Sequence, residues 1–141
     1  MDTSGRFRWL RAVLLVGVVY LGAGLTFATL AGRAGSSQMQ ATWRLAAWVI
    51  SAAAFAAHIA YEHVRLRSSP GTTALHASFA VAIGAFALAV AANLHARGSS
   101  NQHHSLALTL ALIMWPVATA LPAFVVALAA AAAIGLTRRR D

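Results

Sequence analysis

Four long apolar runs, residues 9–31, 43–64, 73–95 and 106–136, constrain this chain more than any other feature. Each is long enough to cross a hydrocarbon core of about 30 Å as a helix, which takes ~20 residues. Lipid offers backbone N–H and C=O groups no water to bond, so only helices and closed barrels span it. None of the runs alternates with the period of two that a strand requires. The expected fold class is therefore all-α: an integral membrane four-transmembrane-helix bundle, one domain over residues 1–141, built as two antiparallel helical hairpins. The segments between the runs, 32–42, 65–72 and 96–105, carry the Gly, Ser, Pro, Asn and Gln of connecting loops.

Composition agrees with the pattern. The chain is 60% hydrophobic and 10% charged, where a soluble domain is roughly half apolar and a quarter charged. A formal charge of +8 would in a soluble protein raise the question of nucleic acid. Here the basic residues sit at the ends of apolar runs rather than along one polar face, so they read as membrane-edge anchors and no nucleic-acid partner is expected. Cysteine is absent, which removes disulfides, thiolate metal sites and Cys nucleophiles. All eleven basic residues are arginine, as a GC-rich bacterial genome would give. The expected location is the plasma (inner) membrane of a bacterium, with the lipid bilayer as first partner.

Arg6, Arg8 and Arg11 fit the basic start of a signal peptide, but the apolar run exceeds the usual ~7–15 residues and no clean small-x-small site follows, so a retained first helix is expected. Eight arginines lie in the N-tail, the middle connection (Arg65, Arg67) and the C-tail (Arg138, Arg139, Arg140); three, Arg33, Arg44 and Arg97, lie at the opposite helix ends. The positive-inside rule then places both termini and the middle connection in the cytoplasm. In the fourth run, Pro116 and Pro122 each remove a backbone hydrogen bond and crowd the preceding turn, which predicts a kink or tilt.

Helix association in lipid depends on close packing and polar contacts. In the third run His76, Ala77, Ala80, Gly84, Ala87, Ala91 and His95 share one helical face, small in the middle with a histidine at each end. The first run has its own small positions, Gly17, Gly24 and Ala28. Leu30, Arg33 and Gln38 recur 64 residues later as Leu94, Arg97 and Gln102, a weak echo of one hairpin in the other that raises a parallel repeat.

The second run gathers its polar groups on one stripe: Arg44, Trp48, Ser51, Phe55, His58, Glu62 and Arg65, spaced four and three apart. An ionisable side chain near the bilayer centre costs ~2.5–3.5 kcal/mol, so this stripe is expected to face the bundle. His58 and His76 fall at one depth on neighbouring helices, roughly 10 Å inside the cytoplasmic boundary, with Glu62 a turn nearer the surface. His63 is rotated away, toward the headgroups. Such a group has three readings. His58, Glu62 and Arg65 can satisfy one another and a neighbouring helix as a structural clamp. His58, Glu62 and His76 are a ligand set for a divalent metal, and His58 with His76 for the axial positions of a b-type haem. His and Glu also carry protons in membranes, and histidine as a residue type titrates near neutral pH.

A second polar collection, Gln38, Gln40, Asn93, His95, Asn101, Gln102, His103 and His104, reads as solvated loop, and Trp9, Tyr20, Trp43 and Trp115 as interfacial or core aromatics. No His-Glu-x-x-His motif occurs, and a di-iron site needs about four acids where the spans offer only Glu62. With Asp2 and Asp141 at the chain ends, no catalytic constellation can be assembled, and no enzyme is expected. Two functions remain. One is a small polytopic membrane protein acting through helix–helix contacts, as a homo-oligomer or an accessory subunit. The alternative is a haem- or metal-binding or proton- or ion-handling protein that uses His58, Glu62 and His76.

Overall fold

The computed structural model describes residues 3–97 and 105–137, and these are helical apart from two short connections. Helix α1 spans Thr3–Gly32, α2 Ser37–Ala60, α3 Pro70–Arg97 and α4 Ser105–Thr137; one turn of π-helix, Tyr61–Arg65, extends α2. All four helices are long and apolar enough to cross a membrane. Large side chains such as Leu15, Val18, Leu45, Ile113, Leu121 and Val125 stand exposed on the outer faces. So much contiguous apolar surface is unsuited to water and fits acyl chains. Asn101, Gln102, His103 and His104 lie outside the described residues.

The helices overrun their apolar runs, and at the starts of α2 and α3 polar caps set the ends. Ser36 lies in extended backbone and its hydroxyl accepts the Met39 N–H at 3.2 Å, so α2 starts six residues before Trp43 and only residues 33–36 connect it to α1. Ser69 caps α3 in the same way, accepting the Thr72 N–H at 3.2 Å. Pro70 follows at the first helical position, where a missing N–H goes unnoticed. Residues 66–69 therefore suffice for the second connection, with Arg67 in the left-handed region at φ 51° to turn the chain.

The two hairpins pack through their first helices. α1 and α3 run parallel at the centre: Val13 and Val16 enclose Ala80, Tyr20 rests on Gly84, and Leu88 lies over Gly24. The last two pairs are each 64 residues apart, so the interval of the sequence echo is also the register that brings the two helices level. α2 lies along α1, with Phe27 near Trp43, and α4 lies along α3 over the most extensive contact in the molecule. Asn93 donates to the Leu108 carbonyl at 2.7 Å and ties α3 to α4 at the end away from the chain termini.

α2 meets α3 and α4 mainly at its C-terminal end. There Ile59, Ala74, Ala77, Ala127 and Ala131 form a closed apolar core flanked by Phe55 and Phe124. Toward its other end α2 leaves α4, and a groove of about 640 Å³ opens between them, floored by Tyr20 and Gly84 and walled by Trp48, Ser51, Trp115 and Thr119. The polar stripe of α2 is thus internal at His58 and Glu62, half-buried at Ser51 and Phe55, and exposed at Arg44 and Trp48. The small-residue face of α3 behaves alike: Ala77, Ala80 and Gly84 are buried, Ala87 and Ala91 half-buried, and His95 exposed. α4 runs on through Pro116 and Pro122, and between them the Thr119 hydroxyl bonds back to the carbonyls of Trp115 at 2.9 Å and Pro116 at 3.1 Å.

Packing this close leaves a clear consequence. A Cβ on Gly84 would stand 2.6 Å from the Cβ of Tyr20, which cannot rotate aside, whereas one on Gly24 would meet the more flexible end of Leu88, its methyls at 2.6 and 2.8 Å and its Cγ at 3.2 Å. Gly84→Ala is expected to lower stability by about 1–3 kcal/mol, the usual cost of overpacking, and Gly24→Ala by less. Unfolding of both variants in mixed micelles checks the order; equal losses would contradict the α1–α3 register.

Candidate functional site

The site is assembled at the end of the bundle that carries the described chain ends. A π-turn admits one extra residue per hydrogen-bonded ring, and here the Leu66 N–H reaches the Tyr61 carbonyl at 3.3 Å. Glu62 sits within that turn and is fully buried, at 0% exposure. Its Oε2 accepts the Ser68 hydroxyl at 3.1 Å and lies 3.1 Å from Nδ1 of His76 on α3. The backbone N–H of Ser68 also returns to the Glu62 carbonyl at 3.2 Å, so the connection between α2 and α3 folds over the acid it serves.

His76 is held from its other side by α1. The Trp9 ring stacks on the imidazole with centroids 4.5 Å apart and planes 6° from parallel. A flat aromatic face attracts a cation, so the stack suits the imidazolium form as well as the neutral ring. Three helices thus converge on one contact: α2, through its π-turn, supplies the carboxylate, α3 the imidazole and α1 the indole.

Around this contact stand polar atoms without partners. Glu62 Oε1, His58 Nε2, Thr73 Oγ1 and His63 Nδ1 are all enclosed and make no hydrogen bond. Buried polar groups are normally bonded, and each exception calls for an explanation. His58 is buried a turn before Glu62 but bonds to neither Glu62 nor His76.

The structure therefore gathers the three residues singled out in the sequence and joins two of them directly. Arg65 does not take part: it is exposed, and Ser68 fills the place foreseen for it. His63 is turned away from His76 and half-buried against Gly135, near the end of α4, where a glycine leaves room for the ring. Sequence reasoning also missed Trp9 and Ser68. The depth of Trp9 was readable, but its pairing with His76 depends on the parallel register of α1 and α3. The signal for Ser68 was the Ser-Ser-Pro string after the apolar run, which gives one serine to the cap and one to the acid.

Among the described residues, no group of three His, Asp or Glu side chains stands close enough together to hold a metal ion. Neither His58 nor His76 lines the groove between α2 and α4, and one face of His76 is covered by Trp9. The Glu62–His76 contact itself is suited to proton exchange. With the carboxyl ionised and the ring an imidazolium, Nδ1–H donates to Oε2; with that proton moved across, the carboxyl O–H donates to Nδ1 of a neutral ring that keeps its proton on Nε2. The same 3.1 Å serves both states.

No family model, no curated protein and no solved structure matches the chain, so the functional argument rests on this geometry.

Removing the acid tests how the site is held. Glu62→Ala leaves His76 and Ser68 without their shared partner and is expected to cost about 1–3 kcal/mol. Glu62→Gln keeps an amide oxygen able to accept from both and is expected to cost less than half as much. Thermal unfolding followed by circular dichroism separates the two; an Ala variant as stable as wild type would mean that the contact contributes nothing.

Proposed function

We propose that this chain is a small multi-pass protein of a bacterial plasma membrane, with both termini and the 66–69 connection in the cytoplasm, whose working part is the Glu62–His76 pair acting as an intramembrane proton-handling site. An ionisable residue kept inside a membrane bundle is costly and marks a functional position by default. The observation that carries the reading is the fully enclosed carboxylate, with one oxygen shared between His76 and Ser68 and the other unbonded, while Nε2 of His58, buried a turn earlier, is unbonded as well. A structural clamp alone calls for neither the spare oxygen nor the spare imidazole.

Beyond the pair, toward the groove, lies the apolar layer of Ile59, Ala77 and Ala127, so in this reading a proton crosses only when that layer opens. No metal, haem, nucleic acid or catalytic step enters this reading.

A second reading, action through helix contacts as a homo-oligomer or an accessory subunit, draws on a different observation. The connections 33–36 and 66–69 leave almost no surface outside the helices, so any partner at those points must bind within the bilayer.

Liposomes carrying an internal pH dye decide between them. The proton reading expects a flux above that of empty vesicles, reduced to the empty-vesicle level in Glu62→Gln. A wild-type rate equal to that of empty vesicles removes transport, and constant co-purification with other membrane subunits then favours the second reading.

A further inference from the structure

We propose that the α1–α2 hairpin holds one anionic phospholipid, with its phosphate on Arg44 and one acyl chain descending into the groove between α2 and α4. The inference rests on the membrane location proposed above and not on the proton site.

A crevice of about 410 Å³ lies between α1 and α2 at the end away from Glu62, lined by Phe27, Ala28 and Ala31 on one helix and Gln40, Arg44 and Trp48 on the other. It shares Gly24, Ala47 and Trp48 with the larger groove, so one apolar surface runs unbroken from the helix end toward the middle of the bundle. Volumes in this range suit a small ligand or part of a lipid.

Charge selects the ligand. Glu62 is the only carboxylate among the described residues, and it is buried and already engaged 18 residues farther along α2, about 27 Å away. Arg44 is exposed and has no carboxylate to pair with among the described residues. A guanidinium presents a planar fork of donors that matches a phosphate. Gln40, one turn earlier on the same face, adds an amide N–H₂. Arg44 also stands about 10 Å in from the start of α2, a depth that a headgroup phosphate reaches while its chains lie against Phe27 and Trp48.

The α2 wall of the larger groove, Ala47 to Phe55, covers about 12 Å, a length that part of an acyl chain fits.

The full chain reconstituted in phosphatidylcholine nanodiscs with a minor fraction of phosphatidylglycerol, then released for native mass spectrometry, tests the site. One phosphatidylglycerol per chain is expected to be retained in preference to phosphatidylcholine. Retention is expected to fall about tenfold in Arg44→Gln, as for loss of one charge-assisted contact. Ala47→Phe, which fills the crevice and leaves the arginine in place, is expected to lower it as well. If Arg44→Gln loses its helical circular dichroism, Ala47→Phe decides alone. Equal retention of the two lipids, or retention unchanged by both substitutions, would mean unselective boundary lipid and overturn the proposal. Displacement by excess inorganic phosphate would overturn it too, because the site would then take free phosphate rather than a lipid.

Discussion

The carboxyl group of Glu62 is the constraint around which the described end of this bundle is organised. An acid taken out of water must be bonded where it lies, since several kcal/mol of hydration are lost and only good local geometry offsets them. The π-turn aims the side chain, the 66–69 connection returns a serine hydroxyl and a backbone N–H to the same residue, and α3 presents an imidazole. Trp9 then fixes the plane of that imidazole from α1. Remove the acid and these features lose their common reason.

The rest of the architecture follows from an unequal distribution of contacts. α3 is the spine: its small residues let α1 approach on one side and α4 on another, to the point where Gly84 has no room for a methyl group. α2 has no comparable seat. It is held by α1 along its length and by the polar contact and the small apolar core at its C-terminal end. In lipid no hydrophobic force closes such a gap, because acyl chains fill it as well as side chains do. The groove can therefore stay open to lipid, while α1 holds one end of α2 and Glu62 the other.

How much of this could be read from the sequence depends on the kind of physics involved. The four helices were legible because length and hydropathy act locally. The inward turn of His58 and Glu62 was legible for the same reason: polar groups on one stripe of an apolar helix have one sensible direction. The prediction failed where a third body entered. Arg44 and Trp48 continue the same stripe yet stand exposed, since nothing in the periodicity of α2 says that α4 departs from it. The packing of His63 on Gly135 was not legible, because a single π-turn is invisible to a pattern counted at 3.6 residues per turn. Trp9 was read as an aromatic of no special role, and only the register between two helices 64 residues apart sets it on His76.

The central claim is that Glu62 and His76 act on each other inside the bundle, and a double-mutant cycle measures that directly. Wild type, Glu62→Gln, His76→Phe and the double variant would be unfolded reversibly in mixed micelles at a pH where the protein is stable. The account predicts a coupling of about 1 kcal/mol, in the upper range for polar pairs between membrane helices, with the double variant less damaged than the sum of the singles. Strict additivity would contradict it, because the carboxylate and the imidazole would then be neighbours that do not interact.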